Sequence, residues 1–353
     1  MNFYETDTLS ALEAKEKAQW IAFAPVVFQT TKILRDTGIL KAIESNQGLS
    51  LAEIVAKVNL PLYGTRVLVE AALGIGLLTC REHKYFTTKT ATFILHDDLT
   101  RVNMDFVQDV CYKGMFHLEE SIRNEKPEGL KVFGQWPTIY EGLSKLPEQV
   151  QKSWFGFDHF YSDHAFADVL PVVFGSKPRT LLDIGGNTGK WALQCFEYDP
   201  DVKVTIMDLP GQVEMAKSQI IAKGFASRIE FFPCNLLDEQ QPFPENFDAI
   251  WMSQFLDCFS ETQIISILKR CRKALSAGGS VYILEPFWNR QRFKASAFAL
   301  QQTSLYFTAM ANGNSQMYHS DNFIGYVKEA GFEVLDQKDL IGVSHTLLKC
   351  KPC

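Results

Sequence analysis

Two carboxylates stand where an α/β protein would keep its chemistry. The stretch WMSQFLDCFSE (251–261) begins as the end of a buried strand and turns into a helix entry, and Asp257 falls between the two. Glu285 closes a second apolar run, SVYILE (280–285). Open α/β sheets bind ligands beyond the carboxyl ends of their strands. A carboxylate there can take a proton, hold an amine, or simply favour a helix N-terminus. A third run, LLDIGGNTGKW (181–191), carries Asp183 into Gly185, Gly186 and Gly189. A strand entering glycines and then a helix lets backbone N–H groups approach a ligand closely. The spacing G-G-x-x-G is not the dinucleotide fingerprint G-x-G-x-x-G. A fourth run, KVTIMDLP, leaves Asp208 where an acid can take both hydroxyls of an unphosphorylated ribose.

These groups need a sheet to position them. From about residue 178, strand and helix patterns alternate, which indicates a mainly parallel sheet. The strands are expected at 180–184, 203–208, 229–233, 248–253, 280–285, 332–336 and 344–350. The last two have no helix between them, so the final strand should run antiparallel.

The first half reads differently. Residues 14–37 form one long periodic helix, which Pro25 should kink or divide. Ser50 with Glu53 makes a capping-box signature, Pro61 opens a second helix, and LLTCREHKYFTTKT alternates like a hairpin. Helix, turn, helix, hairpin is a winged-helix arrangement. From Thr31 to Asp98 the eight Lys and Arg are matched by seven Asp and Glu, and the second helix offers only Arg66. A DNA reader needs several phosphate contacts, so the reading here is dimerisation without nucleic acid. SWFGFDHFYSDHAF (153–166) then gathers aromatics with His159, Tyr161 and His164. It is either a core helix with satisfied histidines or one wall of a pocket for a flat apolar ligand.

The 353 residues are 46% hydrophobic with a net charge of −6, a soluble globular balance that argues against an obligatory nucleic-acid partner. The start carries acids and no apolar leader core, and no run is long enough to span a membrane. The eight cysteines are scattered, as reduced thiols of a cytoplasmic protein would be. Cys350 and Cys353 form one CxxC without a second pair, and no His/Asp/Glu cluster has metal-ligand spacing.

Together, D-x-G-G-x-x-G, DLP and the winged-helix front end resemble the class I S-adenosylmethionine-dependent methyltransferases. Over residues 20–350 the chain is similar to the small-molecule O-methyltransferases of plants, animals and bacteria, which act on caffeate, hydroxyindole and polyketide acceptors. The resemblance implies a winged-helix dimerisation domain (1–110), a helical linker and pocket wall (111–175), and a doubly wound Rossmann-like domain (176–353). It implies S-adenosylmethionine as cofactor, S-adenosylhomocysteine as product, a small-molecule acceptor, and a homodimer through the N-terminal domain. By position, Asp183, Gly185, Gly186 and Gly189 would border the methionine moiety, Asp208 and Leu209 the ribose, Asn235 and Leu236 the adenine, with Ser253 beside them. Asn187 replaces a glycine of that pattern, Asn235 an acid, and Gln254 an aromatic. An Asn carbonyl can still accept from an adenine amino group.

The family reads L-H-D-W-S-D where this chain reads L-D-C-F-S-E. Asp257 thus replaces the histidine base, Cys258 an aspartate and Phe259 a tryptophan. Glu285 matches one of the two acids that orient the histidine, and Asn322 stands for the other. Full proton transfer from a phenol near pKa 10 costs about 5 kcal/mol to a histidine and about 8 kcal/mol to an ordinary aspartate. Burial and Glu285 would narrow that gap. Four readings remain open: Asp257 as base for O-methylation; a base moved to His159, His164 or His319; N-methylation with Asp257 holding an amine; or a cofactor-binding member that no longer methylates. The helix after strand five carries Phe298, Tyr306, Phe307 and Met310 on one face. Phe307 and Met310, with His159 and Tyr161, are the expected acceptor-pocket residues.

Overall fold

The computed structural model describes residues 3–353, in two compact units, Tyr4–Asp105 and Phe106–Cys353, the latter joined by Phe3. The segment 111–175 belongs to the second unit.

The first unit opens with α1 (Ala11–Asp36), capped by Ser10, whose hydroxyl accepts the Glu13 N–H while the Glu13 carboxylate accepts the Ser10 N–H. The helix runs through Pro25 as one element, so the expected division does not occur there. Proline removes one helical donor, and the flanking turns carry the loss. Next come α2 (Ile39–Ser45), α3 (Leu51–Val58) and α4 (Leu62–Ile75). The Ser50–Glu53 capping box opens α3, and Gly76 in the left-handed region ends α4. The hairpin pairs β1 (Leu78–Arg81) with β2 (Lys84–Thr87), and α5 (Lys89–His96) follows. Its two-residue turn, Glu82 and His83, is left-handed at both positions, as the right-handed twist of a hairpin demands. Leu34, Leu40, Ile43, Ile54 and Val69 fill the core. Leu12, Trp20, Ile21, Phe23 and Val26 of α1 remain exposed.

The chain continues through α6 (Asp98–Phe106), α7 (Leu118–Asn124), α8 (Ile139–Gly142) and the long α9 (Glu148–Val173). Seven strands then build a mixed sheet: β3 (Thr180–Ile184), β4 (Lys203–Asp208), β5 (Ile229–Pro233), β6 (Phe247–Ser253), β7 (Leu275–Glu285), β8 (Phe332–Ile341) and β9 (His345–Pro352). Their spatial order is β5-β4-β3-β6-β7-β9-β8, with the first five parallel and β9 antiparallel between β7 and β8. All seven expected strands are present. Between them lie α10 (Lys190–Tyr198), α11 (Pro210–Ala222), α12 (Glu261–Ala274), α13 (Lys294–Tyr306) and α14 (Ser320–Glu329).

Both faces of the sheet are covered, so its strands read as continuous apolar runs. Leu182, Ile184, Ile250 and Met252 pack against α12 and α14, while Leu181, Ala249 and Trp251 pack against α9 and α10. Trp191 stacks on Trp251 with ring centroids 4.1 Å apart. From β3 the chain goes to β4 on one side and later to β6 on the other. That reversal of strand order opens a crevice at the strand ends.

Candidate active site

A cavity of about 350 Å³ occupies this crevice, lined by the exits of β3, β4 and β6, by α9 and by the end of α13. The glycine loop forms one part of its wall. Gly185 lies in the left-handed region at φ 76°, and a Cβ there would meet the Phe255 ring at 2.2 Å. A Cβ on Gly186 would meet an Asp183 carboxylate oxygen at 2.7 Å. Gly189, at φ 81°, starts α10 behind the wall and packs on Ile220. Asn187 is left-handed too, at φ 47°. Its backbone N–H donates to Asp208 Oδ2 at 2.8 Å, and its side-chain amide donates to Asp158 Oδ2 on α9 at 3.2 Å.

The carboxylates of this wall are buried. Burial pushes Asp183 well up, helped by Asp208, and its Oδ2 has no hydrogen-bond partner among the described residues. Asp208 accepts the backbone N–H groups of Asn187 and Leu209. Burial still outweighs them and pushes it up to about 6. Thr188 and Ser253 also have buried hydroxyls without partners among the described residues, and both line the cavity. Leu209 and the buried Leu236 line it as well. Asn235 is exposed on the wall, and its side-chain oxygen accepts the Leu237 N–H at 3.0 Å.

Asp257 sits in the short turn Leu256–Cys258 that follows β6. It is 5% exposed and faces the cavity. Burial pushes its carboxyl up to about 7, the Cys258 thiol at 3.4 Å partly opposing this and Asp158 adding to it. Glu285 does not line the cavity. It lies behind the wall, where Oε1 accepts the backbone N–H groups of Phe255 (3.0 Å) and Leu256 (2.8 Å). It therefore holds the turn that presents Asp257. Burial and Asp257 drive its own carboxyl well up. The Asn312 amide, donating to Cys258 O, and Tyr318, donating to Phe259 O at 2.7 Å, hold the turn from the other side.

His159 and Phe307 line the cavity; Tyr161 and Met310 do not. On α9 the lining residues are Trp154, Phe157, Asp158, His159, Ser162, Asp163 and Phe166, while Tyr161 is buried outside the lining, its ring 4.9 Å from that of Phe157. Met310 is fully buried with its sulfur against Gly114 and Gly129, filling a gap between two turns. Phe298 is exposed, and so is Asn322 on α14. Of the three alternative histidines only His159 reaches the cavity. His164 bonds Phe160 O, and His319 caps α14.

Several site residues had no sequence signal. Asp158 was hidden in an aromatic segment where histidines drew attention. His345, fully buried on β9, places Nε2 2.6 Å from the side-chain oxygen of Gln254, which stands left-handed at φ 47° just past β6. Tyr140 brings its hydroxyl to the wall beside the Cys258 thiol.

Residues 115–333, more than half of the chain, match the family model described as O-methyltransferase domain. The chain belongs to this family. Residues 15–85 match a Dimerisation2-like domain. The chain is 25% identical over 321 residues to the L-tyrosine C(3)-methyltransferase of Streptomyces lavendulae, covering 90% of this chain and 86% of that protein. It is 26% identical to the 3-hydroxy-5-methyl-1-naphthoate 3-O-methyltransferase of Streptomyces sahachiroi, covering 73% of each. Human N-acetylserotonin methyltransferase, solved with S-adenosylmethionine, shares the fold at a TM-score of 0.67 and 19% identity, over 100% of this chain and 99% of that one. The apo S-adenosylmethionine-dependent methyltransferase SibL gives 0.72 at 20% identity, over 95% and 98%.

S-adenosylmethionine is the cofactor of this O-methyltransferase family. The residues here suit it. Gly185 and Gly186 bring bare backbone to the cavity, because a Cβ at either would run into the Phe255 ring or the Asp183 carboxylate. Oxygens of Asp183, Thr188 and Ser253 on the cavity wall have no partner among the described residues and can bond the polar groups of such a molecule. Among the described residues no His/Cys/Asp/Glu group could hold a metal, and no helix is long and apolar enough to cross a membrane.

Proposed function

We propose that this chain transfers a methyl group to the hydroxyl of a small aromatic or polyketide-like acceptor, with Asp257 taking the proton. The observation that carries the reading is the placing of Asp257, buried and raised to about 7, on the same cavity wall as the glycine loop. When bound, S-adenosylmethionine supplies an electrophilic methyl on a sulfonium sulfur. Asp183, Gly185 and Gly186 would face its methionine part, Asp208 and Leu209 the ribose, Asn235 and Leu236 the adenine, with Ser253 alongside and Gly189 opening α10 behind them. Phe157, Phe166, Trp154 and Phe307 form an apolar wall for a flat acceptor and exclude water from it. Asp257 accepts the phenolic proton, the Cys258 thiol orients its carboxylate, and Glu285 fixes the turn. From a phenol near pKa 10 to a carboxylate near 7, transfer costs about 4 kcal/mol, close to the figure for a histidine. The rest of the acceleration comes from holding acceptor oxygen and methyl in line.

A second reading is favoured by the relative that spans 90% of the chain and bears the name of a C-methyltransferase. The phenolate made by Asp257 is nucleophilic at its ortho carbon as well as at oxygen. We further infer a cytoplasmic homodimer joined through the N-terminal unit, supported by the exposed apolar face of α1 and by eight free cysteines.

The test is a methyl-transfer assay with isotopically labelled S-adenosylmethionine against a panel of phenols, preceded by titration with S-adenosylhomocysteine. O-methylated products support the first reading, and ring-methylated products with a free hydroxyl support the second. Cofactor binding without transfer to any phenol would overturn both.

A further inference from the structure

The cavity lining carries six carboxyl groups, Glu141, Asp158, Asp163, Asp183, Asp208 and Asp257, against one ammonium, Lys190. Lys190 lies 2.6 Å from Asp163, near solvent. His159 is pushed towards its neutral form by burial and by Lys190, with Nδ1 3.8 Å from Asp158 Oδ2. The family cofactor brings one net positive charge, which leaves carboxyls in excess. Two of these stand at the aromatic end. Among the described residues, Asp257, 95% buried, takes a side-chain bond from the Cys258 thiol alone, and Asp158 from the Asn187 amide alone, with Lys190 acting on Asp158 through space. Neither forms an ion pair with lysine or arginine among the described residues. A separate observation points to a polar ligand: the side-chain oxygen of Asn187, on the same wall and next to Asp158, has no partner among the described residues. Ionised carboxylates so placed are costly without a counter-charge.

We propose that the acceptor brings that charge: it is a phenol or catechol bearing a protonated amine, its ammonium at Asp158 and its hydroxyl facing Asp257. This deepens the methyl-transfer reading and rests on it. Asp158 is a specificity residue in this account, and Asp257 keeps the proton-accepting role. The aromatic wall suits the ring of such a molecule and tolerates the nearby cation. A neutral phenol of the same size would leave both carboxylates uncompensated.

The test titrates the full chain, saturated with S-adenosylhomocysteine, with two matched pairs: tyramine against 4-propylphenol, and dopamine against 4-propylcatechol. The amine should bind at least tenfold more tightly in each pair. At pH 7 its binding should release about half a proton, because Asp158 is raised to about 7 and a cation draws that proton off. Calorimetry in two buffers of different ionisation enthalpy reads this. Asp158→Asn should bring each ratio close to one and leave affinity for S-adenosylhomocysteine unchanged. The matched pairs test the unaltered protein, so a misfolded variant does not rescue the idea. Equal or tighter binding of the neutral members overturns it, as does binding of none of the four. A ratio that survives Asp158→Asn does the same. Weaker S-adenosylmethionine with unchanged S-adenosylhomocysteine in that variant would assign Asp158 to the sulfonium, and also overturns it. Silence from S-adenosylhomocysteine itself counts against methyl transfer and takes this inference with it.

Discussion

His345 donates from Nε2 to the side-chain oxygen of Gln254 across 2.6 Å, linking the start of β9 to the turn that leaves β6. Burial pushes the imidazole down to about 3, so the ring is neutral. With Nε2 protonated, the amide oxygen faces His345 and the NH₂ group is turned elsewhere on a residue that lines the cavity.

Replacing His345 by Leu removes that donor from the half-buried Gln254 oxygen, at a cost of about 1 kcal/mol in denaturant unfolding. The pH dependence has a definite sign. The unfolded chain binds the proton near 6.5 and the folded one only near 3, so wild-type stability falls as pH drops across that window. His345→Leu should lack this component. An unchanged acid limb in the variant would show that another group sets it.

Asp257→Asn should cut kcat by about 10²-fold or more with little change in affinity for S-adenosylhomocysteine. The wild-type rate should rise with pH through about 7, and the variant should lose that limb. Stability should move the opposite way. A carboxyl whose folded pKa is raised favours the fold below about 4 and loses that advantage as pH climbs through 7. At pH 8 the Asn variant should therefore melt about 3 °C or more above wild type. A lower melting point would mean that Asp257 has a cation partner.

Glu285 separates an orienting role from a catalytic one. Glu285→Gln keeps an oxygen for the Phe255 and Leu256 N–H groups and should retain activity within about fivefold. Glu285→Ala strands both donors and should lose more than 1 kcal/mol of stability along with most turnover. Equal losses in the two variants would point to a role for the charge.

Gly185→Ala places a methyl group into the Phe255 ring at a left-handed position. Calorimetry should show affinity for S-adenosylhomocysteine reduced at least tenfold, with strain of about 1–3 kcal/mol in the fold. Wild-type affinity would show that the loop does not face the cofactor.

Phe23→Asp on α1 should shift sedimentation from dimer to monomer, since it puts a charge on an exposed apolar face and touches no core residue. Persistence of the dimer would place the interface elsewhere.

The sheet was legible because its two faces are both apolar, and short Val-, Ile- and Leu-rich runs bounded by helices carry their own signal. The glycine loop and Asp208 were legible because backbone approach to a ligand requires particular residues in sequence order. Tyr161 and Met310 were misplaced for a geometric reason. One helical residue of rotation, or two turns closing on a sulfur, decides between cavity and core, and neither is written in spacing. Asp158 and His345 were missed because their partners, Asn187 and Gln254, lie 29 and 91 residues away along the chain. Only the folded sheet brings them together.

The position of β9 between β7 and β8 has a consequence for the nascent chain. As the ribosome extends the polypeptide, β8 emerges with no neighbour to pair with. The edge of β7 likewise stays open until residues 345–352 arrive and thread between them. Those same residues deliver His345 to Gln254. Sheet completion and maturation of the pocket thus become one late event of high contact order, before which the exposed edges are open to chaperones and to aggregation.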